Sequence, residues 1–561
     1  MRAAASVLSA PPRGAPITRR DKLVVIALVV LLAAASAGAI VVDRSQGPAP
    51  PAFGGTYIEG VVGVPRLLNP LLAATTVDED VARLAFSGLT RYDRSGSIVP
   101  DLASSFRVSE DGRLWTFEIR PDAVWHDGTE VSAADVVYTV GLVQDQAYVG
   151  PFADAFRGVA AVAVGPKTVR FTLPEAHAPF AASTSLPLLP AQLLGGVRYV
   201  ELAKHPFNQR PVGTGPFKVT AIDARQITLS RHDGFYRTRP ERDRPYLDRI
   251  VLRSYREGSE ALAALARGEI DGIAGLSALD AERARSLKDV TLYSLPTNDF
   301  TALFLNVRPE RPVFRDRAVR QAIGMALDRG KMLQLAADGR GTVADQFVSP
   351  SSWAYSREVP RTAHSRADAR VLLDAADWRD HDGDGIRDKG GVALRFTIST
   401  SDEPARVVVA RQIVLDLAAI EMSAEQKIVP FVELVDKVAR DRTFDLLLVG
   451  ITAGSDPDPY AFFHSSQAKD PGYNFSGYST LPLDRILEAT RRTFDVAKRR
   501  ELYAGVFQQI ALETPVIFLY FTDYLYAQRS SVYGLKIAPI SDRTQRFWDV
   551  EDWYLKVSPR R

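Results

Sequence analysis

The chain contains no cysteine in 561 residues. That absence excludes disulfides, thiol catalysis, iron–sulfur clusters and cysteine-bound zinc, and also a lipid anchor attached through an N-terminal cysteine. Histidine is scarce. The seven present, His126, His177, His205, His232, His364, His381 and His464, show neither HxH nor HExxH spacing, so no zinc centre is outlined. There is no GxSxG elbow, no phosphate-cradling Gly-Lys-Ser/Thr loop and no GxGxxG. Net charge is small, +2, and gives no case for a nucleic-acid partner. With no catalytic constellation and no cofactor motif, the sequence reads as a non-enzyme without a cofactor.

What is present begins with residues 23–42, a charge-free run long enough to span a bilayer. Arg2, Arg13, Arg19, Arg20 and Lys22 precede it, an excess of positive charge that keeps segment 1–22 cytoplasmic and sends the rest outside. The run reads either as a retained anchor or as a signal peptide cleaved near Ala35-Ser36-Ala37. Residues 43–55, rich in Pro and Gly, form a spacer between it and a folded body. That places the protein on the extracytoplasmic face of the membrane, tethered, or secreted if the segment is removed.

The exported part alternates strand and helix signals, which argues for an α/β fold. Tyr57–Val64 is the first predicted strand and Val77–Phe86 the first helix. Glu110-Asp111-Gly112 is a hairpin turn, and Trp115, Phe117 and Ile119 alternate with polar residues as in a half-buried strand. Ser132 with Asp135 three residues on caps a helix. Val212–Val219 carries glycines suited to close backbone approach and positive φ. A helix is expected from Phe314 through Leu327-Asp328-Arg329. Asp380-His381-Asp382-Gly383-Asp384-Gly385 has calcium-loop spacing, continued by Asp388, but Gly391 stands where an EF-hand needs Glu; we read an Asp/Gly turn, with a structural calcium as the alternative.

Leu446–Val449 reads as a buried strand, after which Gly450, Gly454, Pro457 and Pro459 are expected to break regular structure. Asp456, Asp458 and Tyr460 fall on that break, either as ligand contacts or as parts of a stiffened turn. Trp353 and Tyr355 sit on a Pro/Ser loop, a placement open to core packing or to a pocket role.

Pro100–Ala103, Ser109–Gly112, Trp115–Phe117, Trp125–Gly128 and Ala134–Thr139, followed in order by Val212–Val219, Pro245–Ile250, Gly268–Gly272 and Phe314–Ile323, resemble the bacterial extracellular solute-binding proteins of family 5, the receptors of peptide- and nickel-type ABC importers. The resemblance spans roughly 57–555. It implies a two-lobed, periplasmic-binding-protein-like fold (type II, cluster C): 56–297 as lobe one with a β-rich subdomain inserted at about 90–205, 298–521 as lobe two, and 522–561 returning to lobe one. The crossings between lobes are expected at the polar bends 296–300 and 520–524, with Asn298, Phe300, Tyr520 and Thr522 as the hinge. The implied ligand contacts are Asn69, Leu71, Trp353, Tyr355, Thr452, Ala453, Gly454, Asp456, Asp458, Tyr460 and Asn474, with no metal among them. In peptide-binding relatives an Asp on this loop holds the ligand's amino group, and here its place falls between Ala453 and Asp456. The implied function is a monomeric receptor that captures a peptide or similar small solute and passes it to an ABC permease. The alternatives are a receptor for a metal chelate or oligosaccharide, and a membrane-tethered sensor or scaffold.

Overall fold

Two long antiparallel strands, Val290–Leu305 and Val516–Arg529, run through the middle of the computed structural model. It describes residues 51–454 and 456–556, nearly all within one compact unit that begins at Phe53. The basic segment 1–22, the run 23–42, most of the spacer 43–55 and residues 557–561 lie outside the described residues. Among the described residues no helix is long and apolar enough to cross a membrane.

Each long strand is buried residue after residue at one end, Phe300–Leu305 and Val516–Phe521, as expected where both faces of a sheet are covered. They pair from Val290↔Arg529 to Pro296↔Asp523, lose register, and resume at Phe300↔Phe521. On one side of that break the 299–305 stretch pairs with Leu446–Thr452, and Arg395–Ser401 and Ser423–Val429 follow outward. On the other side the 526–528 stretch pairs with Gly272–Ala274, then come Thr56–Val62, Arg249–Tyr255, Gln226–Arg231 and Phe217–Ile222. One mixed eleven-stranded sheet therefore serves two lobes, each with its own hydrophobic cores.

A separate four-stranded antiparallel sheet is built from Ala103–Val108, Leu114–Ile119, Thr168–Thr172 and Ala160–Ala163. Its core holds Trp115, Phe117, Trp125, Phe171 and Phe180 and reaches Leu71 and Tyr236, wider than the 90–205 stretch. The Asp135 carboxylate accepts the Ser132 N–H at 2.7 Å and, through its other oxygen, the Ala191 N–H at 2.7 Å, so the cap also ties the helix Ala133–Val143 to the segment behind it.

Three sequence expectations need correction. The strand at 446 does not stop at Gly450 but continues to Thr452, because the ladder offered by 299–301 holds it extended. The helix expected through Arg329 is two helices, Arg317–Ala326 and Arg329–Ala337, since Asp328 caps the second by accepting the Lys331 N–H at 2.9 Å. Gly213 and Gly215 serve close approach alone, without positive φ: a Cβ on Gly213 would lie 1.9 Å from the Ala85 carbonyl oxygen.

His126 holds this glycine turn. Its Nδ1 accepts the Gly213 N–H at 3.1 Å, which leaves Nε2 to donate to the Gly215 carbonyl at 3.1 Å. Burial, helped by the neighbouring His232, pushes His126 down from 6.5 to about 3. The unfolded chain takes up this proton as the pH falls below 6.5, and the folded chain does not until about 3. The imidazole therefore contributes stability at neutral pH that is lost on acidification through that window. In denaturant unfolding between pH 7 and pH 4, His126→Asn is expected to flatten the acid-side loss of stability relative to the parent chain. An identical slope in the two proteins would remove His126 from the account.

Candidate functional site

A cavity of about 610 Å³ opens where the two parts of the large sheet meet the β-rich subdomain. Its size suits a small ligand, for which sites run about 300–1,000 Å³. One wall is the helix Thr76–Ala85, which turns Thr76, Glu79 and Arg83 inward. Arg91 and Asp101 of the subdomain and Arg237 add to that side, and the segment 540–550 contributes Asp542, Arg543 and Asp549. Asp299 and Thr452 project from adjacent strands in direct register. A narrower gap of about 30 Å³ shares Tyr92, Ser541, Gln545 and Trp548 with it and is closed by Asn298, Ser351, Ser352 and Trp353.

Part of this charge is paired. Arg237 lies 3.6 Å from Asp101 and 3.4 Å from Glu551, and Arg94 pairs with Asp549. Arg83, Arg543, Glu79 and Asp299 have no ion pair within 4 Å among the described residues. Burial, with Arg237 and Arg91 beside it, pulls the Arg83 guanidinium below its ordinary value. Burial raises the Glu79 and Asp299 carboxyls. Unpaired charges of both signs in a half-enclosed space suit a ligand that carries both.

Of the contacts expected from the sequence, Thr452 lines the large cavity and Trp353 the gap, which the expected hinge residue Asn298 also lines. Asn69 is buried with Oδ1 accepting the Leu71 N–H at 3.0 Å, and Leu71 is in the subdomain core; Pro70 between them is what reaches the cavity. Ala453 is buried in the core beside the strand end, and Gly454 is exposed. Asp456 is held by both Nη atoms of Arg499, at 2.7 and 2.9 Å, and Asp458 by Arg491 Nε at 2.7 Å. Tyr460 lies under the Arg491 guanidinium, 3.6 Å from ring centre to Cζ, and stacks on His464. Asn474 is buried and donates to the Tyr478 carbonyl at 2.9 Å. The Tyr355 hydroxyl accepts from Arg361 at 2.9 Å. Neither Asp456 nor Asp458 is among the residues that line the cavity.

Of the expected hinge residues, Asn298 and Thr522 lie inside the register break. Phe300 and Tyr520 are core residues on its far side, and the Thr522 carbonyl accepts Thr297 Oγ1 at 2.7 Å. The subdomain touches the end of the helix Leu481–Arg492 and the residues after it: the Ala178 N–H donates to the Arg491 carbonyl at 2.6 Å, and the Phe494 ring lies 5.8 Å from that of Trp115.

The acidic turn at Asp380, Asp382 and Asp384 brings its carboxylates within 4.8 Å of one another, all exposed. Asp380 accepts the Gly383 and Gly385 N–H groups at 2.8 and 3.0 Å, and Asp384 pairs with Arg395. Asp388 stands apart, accepting the His381 N–H at 2.9 Å.

Sequence reasoning misses Glu79, Arg83, Asp299 and Arg543. The first two are charges on an amphipathic helix, which ordinarily face solvent. Asp299 falls inside the expected crossing at 296–300, the one signal that could have found it.

Known proteins match this arrangement along nearly the whole chain. The model of bacterial extracellular solute-binding proteins, family 5 middle, covers residues 97–474. The oligopeptide-binding protein AppA of Bacillus subtilis is 30% identical over 520 residues, 90% of this chain and 92% of that protein. Its solved structure with a nonapeptide superposes with a TM-score of 0.69 at 28% identity, over 90% of this chain and 100% of that one. NikZ of Campylobacter jejuni, solved with Ni(L-His), gives 0.71 at 26% identity over 89% and 99%. With a family model matched over residues 97–474 and a 30% identical relative covering 90% of it, this chain belongs to the bacterial extracellular solute-binding proteins of family 5.

Proposed function

We propose that the chain captures a short peptide in the 610 Å³ cavity, outside the cell membrane, and delivers it to an ABC permease. The observation that carries this reading is the set of unpaired charges of both signs, Arg83 and Arg543 with Glu79 and Asp299, converging on one space between the two parts of the sheet. A peptide brings an ammonium, a carboxylate and a backbone able to pair with both walls. AppA of Bacillus subtilis, solved with a nonapeptide, supports the ligand class. Capture works by population shift: the ligand touches both lobes only when they are closed, so binding favours closure about the register break between Pro296 and Phe300. The protein acts as a monomer and holds its ligand without transforming it. It is tethered by 23–42 or released by cleavage there.

Mass spectrometry of the ligand retained on protein purified without refolding tests this directly. Peptides of a few residues are expected. A retained sugar or metal chelate, with no melting shift from any tri- to octapeptide, would overturn the peptide reading.

A further inference from the structure

The loop where peptide-binding relatives are expected to carry the carboxylate for the ligand's amino group has none to offer here. Ala453 and Gly454 are uncharged, and Asp456 and Asp458 are spent on Arg499 and Arg491. A peptide ammonium taken out of water still needs a negative partner. Asp299 is placed to supply it. It stands on the strand Val290–Leu305 directly opposite Thr452, next to Ala453, and its carboxylate faces the cavity. Its backbone N–H donates to Thr297 Oγ1 at 3.0 Å, and Thr297 Oγ1 in turn donates to the Thr522 carbonyl at 2.7 Å, which fixes the residue at the register break. Thr452 hydrogen-bonds the carboxyl, and Arg543 acts on it from beyond ion-pair distance, so the group is oriented yet keeps acceptor capacity.

The other cavity carboxylates are less suited. Asp101 is within 3.6 Å of Arg237 and Asp549 is paired with Arg94. Asp542 caps its own turn, accepting the Thr544 N–H at 2.7 Å. Glu79 belongs to the helix Thr76–Ala85, not to the strand pair that carries Asp299 and Thr452, and it has the like charges of Asp542 and Asp80 near it.

Resting on the peptide reading above, we propose that Asp299 binds the ligand's N-terminal ammonium, having replaced a loop carboxylate from the neighbouring strand. The site then selects free amino termini through a residue that the loop sequence does not reveal. Burial raises this carboxyl above its ordinary value, and an incoming cation would oppose that shift.

The test uses the exported chain and a panel of tri- to pentapeptides, each with a free and with an acetylated N-terminus, read by calorimetry. In the parent protein acetylation is expected to weaken binding by about 30-fold or more, the effect of removing one partner of a desolvated charge pair. Asp299→Asn, and Asp299→Ser as a smaller alternative, are expected to bind free and acetylated forms alike. Parent protein that binds both forms equally, or an Asp299→Asn variant that keeps the full discrimination, would overturn the assignment while leaving peptide capture standing. If no peptide in either form binds the parent chain, the peptide reading fails and the assignment with it.

Discussion

Replacing Arg546 with methionine is expected to destabilise the folded chain by about 3–5 kcal/mol, the cost of removing one partner from a buried ionic cluster. The Arg546 guanidinium is almost wholly inaccessible, 2% exposed, as are Glu59 and Asp80 at 0% and 1%. Its Nη1 donates to Asp80 at 2.7 Å and its Nε to Glu59 at 3.0 Å. Glu59 also accepts from the hydroxyls of Tyr57 and Tyr526. The cluster joins the first strand, the helix Thr76–Ala85, the second long strand and the 540–550 segment. Without the cation Glu59 keeps only hydroxyl donors and Asp80 loses the guanidinium that opposes the upward push of burial on its carboxyl, already at about 6, so the protonated form of Asp80 is favoured further. A carboxyl that keeps its proton in the folded state, while the unfolded chain has lost it, makes stability fall as pH rises. The deficit of Arg546→Met should therefore be larger at pH 8 than at pH 5 in denaturant unfolding. Removing the acids as well, in Glu59→Gln/Asp80→Leu/Arg546→Met, should recover most of the loss. A deficit independent of pH, or one the triple variant fails to recover, would show that packing rather than charge accounts for it.

Where the chain's local pattern carries the information, the fold is readable. The alternation of Trp115, Phe117 and Ile119 and the Ser132/Asp135 cap appear in the structure as the sequence suggests. The long strands are not readable whole. Pro296 and Thr297-Asn298-Asp299 look like a break, and the local pattern supports a strand only over 304–307. The neighbouring chain keeps the segment extended instead: the Pro296 carbonyl accepts the Ile540 N–H at 2.8 Å and Thr297 bonds the Thr522 carbonyl. Such support comes from residues more than two hundred positions away, which periodicity does not report.

The cavity is less legible than the fold for the same reason. Arg83, Asp299 and Arg543 belong to a helix, a strand and a short 3₁₀ turn far apart in sequence, and no spacing rule groups them. The loop at 450–460 is conspicuous, with its prolines and carboxylates, yet the partners that explain it are two arginines on helices whose charges look like ordinary solvated ones. Conspicuous local chemistry marks a brace, and inconspicuous distant charges form the pocket.

That brace gives the second large effect. Asp456→Ala is expected to cost about 3 kcal/mol of stability in the ligand-free protein, the low end for a broken buried pair, because Asp456 keeps 19% exposure while Arg499 has 8%. Arg499 is the centre of the arrangement. Beyond Asp456 it donates to the Thr490 carbonyl at 3.1 Å and to the Tyr503 hydroxyl at 2.6 Å, and its guanidinium lies 5.6 Å from the Trp353 ring centre. It so joins the loop, the helices Leu481–Arg492 and Val496–Glu513, and the Trp353 loop that closes the narrow gap. The Asp456 charge holds the guanidinium protonated far above its ordinary range against the pull of burial. Without that charge the cation is stranded, Trp353 loses its support, and peptide affinity falls as a consequence of loosening rather than of a lost ligand contact. Arg499→Lys should reproduce much of the stability loss, since an ammonium cannot reproduce the two-pronged bond. Thermal unfolding of the ligand-free Asp456→Ala protein decides between brace and ligand contact. A melting temperature equal to the parent's, together with lost peptide binding, would return Asp456 to the ligand.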